Sequence, residues 1–221
     1  MCAINLYEAL TKSALFADIG VDVLPTLLIC TQAHQSTYKK DELIIDENST
    51  TSHIGIVLSG QCRAIKWDAS GRVITITYIE EGSVMGVMLA AKAGHPSPVA
   101  VQATVDSVVL HIPHDRIIKM CKKNCPYHGQ LIRNYIYVVA GKGLELYERI
   151  NCLLAPSIRD KVMVYLTRIS CEVGQREFLL PINKNGMAEY LNVERSALSR
   201  ELSRMKGEAI IDYKRDWFRL L

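Results

Sequence analysis

Five polar residues near the C-terminus carry the clearest chemistry in the chain: Arg195, Ser196, Ser199, Arg200 and Ser203. On a helix turning about 100° per residue they share an arc of roughly 140°. The arc is slim and holds two guanidiniums. An arginine fork matches the O6 and N7 acceptors of guanine, and a serine hydroxyl can face any base edge, so the arc suits the floor of a DNA major groove. Leu198, Leu202 and Met205 recur at spacings of four and three on another side, which is the core stripe of the same helix. Lys184, further upstream, joins the DNA-facing set.

The elements that must hold this arc are legible around it. The stretch 183–206 reads as two short helices about a sharp turn. Ala188 is small where the second helix crosses, and Asn192 tolerates the left-handed backbone a tight turn needs. The tail from Ile210 to Leu221 reads as two short strands around a charged turn, with a third strand in Arg176–Pro181. Together these predict a winged helix-turn-helix.

A second constellation is Cys121, Cys125 and His128. The two cysteines, at i and i+4, share a helical face, and Lys122 and Lys123 can lower their thiol pKa values. A thiol-redox or metal switch is one reading. The other is two small apolar residues packing a helix against its neighbour. His34, His53, His95, His111 and His114 show no ligand spacing, and His111 and His114 are expected to be structural. No metal ligand set and no cofactor is assigned. Nor does an enzyme emerge: there is no Walker loop, HExxH or Gly-x-Ser-x-Gly. His114-Asp115-Arg116 resembles a kinase catalytic-loop triplet without its lysine or Asp-Phe-Gly partners.

Charge agrees with a nucleic-acid-binding C-terminal part. Residues 1–150 hold 14 Lys/Arg against 14 Asp/Glu, so the formal charge of +3 lies in residues 151–221, which hold 12 against 9. The excess is modest and predicts limited non-specific affinity. At 221 residues, 49% of them apolar, the chain is long enough for two cored domains. No apolar run is long enough to span a bilayer, and the N-terminus lacks the pattern of a secretory signal. Seven scattered cysteines suit a reducing cytoplasm.

Short helices are expected over about 5–29. From about 32 to 113 short β-branched runs alternate with turn signals, including Ile54–Leu58, Cys62–Trp67, Val73–Ile79 and Val108–Ile112, and they imply a sandwich or rolled barrel. After Pro113 the period changes. Residues 126–154 form one long helix with Leu131, Tyr135, Val138, Val139, Leu146, Ile150 and Leu153 on a broad apolar face. Leu131, Val138, Leu146 and Ile150 are the expected seam with a second copy. Ala155-Pro156-Ser157 ends the helix, and Ser157 with Asp160 reads as a capping box for the next one. The resulting division is a roll with short helices over 1–125, a dimerisation helix over 126–154 and a DNA-binding domain over 155–221.

Val57-Leu58-Ser59-Gly60, Glu81-Gly82-Ser83-Val84-Met85-Gly86 and Val193-Glu194-Arg195-Ser196-Ala197-Leu198-Ser199-Arg200 resemble motifs of the Crp/Fnr family of bacterial transcription regulators. The resemblance covers nearly the whole chain. It implies an α+β chain: an N-terminal cyclic-nucleotide-binding-like β-roll (jelly roll), a long dimerisation helix and a C-terminal winged helix-turn-helix. It also implies double-stranded DNA with a palindromic operator, a homodimer, RNA polymerase for an activator, and a small-molecule effector in the roll. By resemblance the effector pocket falls on Gly86, Val87, Met88, Leu89, Pro98, Val99 and Ala100. Cyclic-AMP-binding members carry a Gly-Glu pair for the ribose and a later arginine for the phosphate. Here Gly86 precedes Val87, and no arginine lies between Arg72 and Arg116. Oxygen-sensing members hold an iron–sulfur cluster on a tight N-terminal cysteine group, which Cys2 and Cys30 do not form. The expected signal is therefore an unidentified small molecule or a redox change. The rival reading is a ligand- or redox-sensing module whose winged helix contacts protein.

Overall fold

The structure is a computed structural model that describes residues 6–92, 94–119 and 126–221. The chain divides into two compact units, Met1–Gly141 and Lys142–Leu221.

The first unit is a β-roll of two four-stranded antiparallel sheets. One sheet orders its strands β1 (His34–Tyr38), β8 (Ser107–Pro113), β3 (His53–Ser59), β6 (Val84–Met85); the other orders β2 (Leu43–Ile45), β7 (Ala100–Ala103), β4 (Cys62–Trp67), β5 (Val73–Ile79). Alternation along β3 and β8 gives the first sheet two apolar faces. Val57, Val109 and Met85 turn inward and meet Ile45, Cys62 and Val101 of the second sheet. Ile54, Ile56, Leu58, Leu110 and Ile112 turn outward. They pack under α1 (Leu6–Thr11), α2 (Leu24–Thr31) and the start of α5 (Pro126–Leu154). Two short helices, α3 (Val87–Ala91) and α4 (His114–Ile118), complete the unit. Neither was expected from the sequence, because a five-residue helix shows barely one turn of periodicity.

The long helix spans the predicted residues, but its apolar face splits. Leu131 is wholly buried and Tyr135 nearly so, and Val138 and Val139 pack beside them on the roll's outer core. Leu131 and Val138 are thus withdrawn from the expected seam with a second copy. An apolar stripe records that a face is covered, not by what. Leu146 and Ile150 of that seam stay exposed, and Ile150 lies in an exposed row with Ile136, Ala140, Gly143, Tyr147 and Leu154, at spacings of 4, 3, 4, 3 and 4.

In the second unit the end of α5 is followed by α6 (Ile158–Val173), opened by the capping box the sequence predicts. The Ser157 hydroxyl accepts from the Asp160 amide at 3.1 Å. It ends at Gly174, whose φ of 70° continues the chain in the left-handed conformation common after helices. Then come β9 (Glu177–Leu179), α7 (Lys184–Tyr190), α8 (Arg195–Gly207), β10 (Ile211–Lys214) and β11 (Trp217–Leu220), the strands ordered β10-β11-β9. Val162, Tyr165, Leu166 and Ile169 of α6 meet Leu198, Leu202 and Met205 of α8, closed below by Ile211 and Phe218. No helix among the described residues is long and apolar enough to cross a membrane.

Candidate nucleic-acid interface and roll cavity

The turn between α7 and α8 forms as its residue types dictate. Asn192 takes a φ of 50°, and the Val193 amide returns to the Ala188 carbonyl at 3.0 Å. Ala188 and Leu191 are buried, so the two helices close tightly. Glu194 caps α8, its carboxylate accepting from the amides of Ser196 at 2.9 Å and Ala197 at 2.8 Å and from the Ser196 hydroxyl. These hydrogen bonds, the hydroxyl's foremost, hold the Glu194 carboxyl down at about 2.

Beyond the cap, α8 separates its faces. Leu198, Leu202 and Met205 are buried, whereas Arg195, Ser196, Ser199, Arg200 and Ser203 are exposed. Three acids of the second unit are taken up by other cations. Glu201 and Glu208 both bind Arg159 at 2.7 Å, and Arg204 adds contacts at 3.0 and 3.6 Å. Asp212 binds Lys206 at 2.5 Å. Arg195 and Arg200 form no ion pair among the described residues. The wing takes up two of the predicted DNA-facing residues. Lys184 places its ammonium 4.1 Å from the Tyr213 ring centroid, and the Ser203 hydroxyl lies 3.3 Å from the Tyr213 hydroxyl while donating to the Ser199 carbonyl. Ser196 is committed to Glu194. The groups left without a side-chain partner on the exposed arc are Arg195, Ser199 and Arg200. The wing contact lay beyond sequence reasoning, since it depends on how β10 lies against α8.

Within the roll, a cavity of about 200 Å³ is lined by His34, Ser36 and Tyr38 of β1, Ile44 and Ile45, Thr51, His53 and Gly55, Met85, and His111. Strand register builds it. His34 pairs with His111, and His111 with Gly55, so these stand in one row across the sheet. His53, two residues before Gly55, faces the same side. The His34 and His111 rings stack at 5.4 Å between centroids and 24° between planes; His34 meets His53 edge-on at 5.7 Å. The Tyr38 hydroxyl lies 3.0 Å from His111 Nε2, and the Ser52 hydroxyl 3.2 Å from His53 Nδ1. Burial, aided by the two neighbouring imidazoles, depresses His111 to about 4 and leaves it neutral at neutral pH. His53 is lowered by burial and by His34.

The family model for the cyclic nucleotide-binding domain matches residues 35–124, and that for the Crp-like helix-turn-helix domain matches residues 160–221. The chain belongs to the Crp/Fnr family of transcription regulators. Solved structures of similar fold include FixK2 from Bradyrhizobium japonicum, at 20% identity and a TM-score of 0.54 over 85% of this chain and 92% of that one. The Thermus thermophilus catabolite activator protein aligns at 17% identity and 0.55 over 95% and 94%. A CooA mutant from Carboxydothermus hydrogenoformans aligns at 17% and 0.62 over 87% and 85%. No curated protein matches the chain.

As a Crp/Fnr member, this chain is a DNA-binding transcription regulator with an effector-binding domain. The residues that the family resemblance assigns to the effector do not line its roll cavity. Gly86 opens α3 with a φ of 73°, Val87 is buried in the outer core, and its carbonyl accepts from the Tyr135 hydroxyl at 3.3 Å. Ala100 is buried, whereas Met88 and Pro98 are exposed and Leu89 and Val99 half-buried. Of the redox constellation, Cys121 and Cys125 lie outside the described residues. His128 is buried, bonded through Nε2 to the Ile117 carbonyl at 2.9 Å, and its Nδ1 meets no partner among the described residues. The histidine cluster escaped sequence reasoning, which looked for ligand spacing along one element. His34, His53 and His111 come from three strands, and only their pairing unites them.

Proposed function

We propose that the protein is a homodimeric, cytoplasmic regulator that reads a palindromic operator through Arg195, Ser199 and Arg200. The observation that carries this reading is the pair of guanidiniums that form no ion pair on the exposed face of α8, while Arg159, Arg204 and Lys206 pair with Glu201, Glu208 and Asp212. Each free fork is available to a guanine edge or a phosphate. Lys184 and Ser203, drawn against the wing, support its position beside the backbone.

The dimer forms along the exposed row of α5. Spacings of 4, 3, 4, 3 and 4 are those of a coiled-coil seam, and Ala140 and Gly143 permit close approach between Ile136, Tyr147, Ile150 and Leu154. Twofold symmetry then sets the half-sites about 34 Å apart. Effector binding in the roll biases the spacing of the two recognition helices, by favouring one arrangement over the other. For an activator, RNA polymerase is the downstream partner.

Cyclic AMP and cyclic GMP are not the effector in this reading. The Val87 side chain is spent in the core and can accept no ribose hydroxyl, and no Lys or Arg lines the cavity. Selection of bound DNA from a random pool, with and without cell extract, tests the proposal. A palindromic consensus whose binding weakens steeply with salt is the expected result. Binding insensitive to salt and sequence favours the protein-contact reading. Saturable calorimetric binding of either cyclic nucleotide, with tightened operator affinity, overturns the exclusion.

A further inference from the structure

We infer that Arg168 is a positioning residue that fixes the helix-turn-helix to the last turns of α5, so that the end of α5 and the recognition helix turn as one body and α5 sets the spacing of the half-sites. The inference rests on the proposed reading of the protein as a dimer on a palindromic operator, and it names the part that carries the spacing.

The cluster lies within the second unit, to which α5 belongs from Lys142 onward. Three helices meet in it. The Arg168 guanidinium, on α6, reaches Glu148 of α5 at 3.3 Å and Glu172 of its own helix at 2.7 Å. It stands 5.4 Å from the ring centroid of Tyr165 and 5.9 Å from that of Tyr190. The two rings lie 5.1 Å apart. From α5, Arg149 places its guanidinium 5.4 Å from the same Tyr190 ring. Tyr190 is the last residue of α7, two positions before the left-handed Asn192 that turns the chain into α8. A guanidinium within about 6 Å of an aromatic face is attracted to it, the more so where water is excluded. Here Tyr165 is 1% exposed and the Arg168 side chain 21%. One planar fork serves two carboxylates and two rings, an arrangement that the point charge of a lysine does not reproduce.

The end of α5 has two working faces. Glu148, Arg149 and Cys152 share an arc of about 100°. Cys152 is wholly buried in the core that holds Leu198 and Leu202 of α8. Tyr147, Ile150 and Leu154, of the exposed row, lie on the opposite side. The same turns of helix therefore hold the helix-turn-helix on one side and offer the seam to a second copy on the other. These contacts also bridge the connection Ala155-Pro156-Ser157, since Glu148 and Arg149 precede it and Arg168 and Tyr190 follow it. A hinge needs residues free to absorb a change of φ and ψ, and a three-residue link spanned by this cluster is not free. A twist of the paired α5 helices is thereby passed to Asn192 and α8.

The test uses the full-length chain on the selected operator, on a single half-site, and on operators whose spacer differs by one base pair, which rotates the half-sites by about 34°. Wild type is expected to prefer the native spacer by at least about 10-fold, because the DNA must deform to meet a stiff dimer. Arg168→Lys keeps the charge and loses the stacking. It should stay dimeric by sedimentation, bind the half-site within about twofold of wild type, and discriminate spacers by no more than about threefold. Glu148→Ala removes only the link to α5, at a side chain 36% exposed, and should move the spacer ratio the same way. It carries the test where Arg168→Lys melts below the assay temperature. Tyr190→Phe is the control: the Tyr190 hydroxyl has no hydrogen-bond partner among the described residues, so the ratio should stay. A wild-type spacer ratio in either folded variant, half-site binding lost in step with spacer discrimination, or a wild-type dimer indifferent to spacing overturns the inference. Operator recognition is read separately on the single half-site, so the proposed DNA function fails only if wild type shows no preference there.

Discussion

Replacing Arg200 with alanine removes a guanidinium that forms no ion pair among the described residues and stands on the exposed face of α8. Folding stability should barely move, since no partner is orphaned. Operator binding should suffer. A good bidentate contact with a base contributes about 1–3 kcal/mol of discrimination. At about 1.4 kcal/mol per tenfold, that is roughly 5- to 150-fold per half-site, and the loss counts twice for a dimer on a palindrome. The control is Arg204→Ala, four residues on. Arg204 is bound to Glu201 and Glu208 at 3.0 and 3.6 Å and is 64% exposed, so its loss costs at most about 1 kcal/mol of stability and leaves DNA binding within about twofold. Fluorescence anisotropy with the selected operator and with variants at single positions, at several salt concentrations, separates the cases. A base-reading Arg200 relaxes preference at one position. A phosphate-binding Arg200 weakens all sequences alike and lowers the log–log salt slope by about 0.9. Wild-type affinity and preference in Arg200→Ala, or equal losses in the two variants, would refute the assignment of the face.

Ile150→Asp places a charge in the exposed row of α5 and should yield monomers by sedimentation, with weakened operator binding. Leu131→Ala should instead cost about 2–5 kcal/mol of stability and leave the dimer intact, because Leu131 serves the roll's own core. Ser157→Ala removes the cap of α6 and should cost about 1 kcal/mol by denaturant unfolding. Glu194 has its carboxyl depressed from 4.5 to about 2, so its contribution is present above about pH 4.5 and lost as pH falls toward 2. The difference in melting temperature between wild type and Glu194→Gln should therefore shrink across that acid window, and a constant difference would show that the carboxylate's charge is irrelevant to the cap.

Much of this protein was determined by local pattern. Leu198, Leu202 and Met205 against Arg195, Ser199 and Arg200 define both faces of the recognition helix, because helical period is a property of consecutive residues. Asn192, the Ser157 cap and the extent of the 126–154 helix follow from the same short-range rules. Tertiary structure alone decided three things. It divided the long helix between a buried row at Leu131 and Tyr135 and an exposed row from Ile136 to Leu154, since periodicity does not say what covers a face. It set Lys184 and Ser203 against Tyr213 by laying the wing on α8. And it gathered His34, His53 and His111 from strands up to 77 positions apart, because the register between β1, β8 and β3 is written in sheet pairing and not in spacing along the chain.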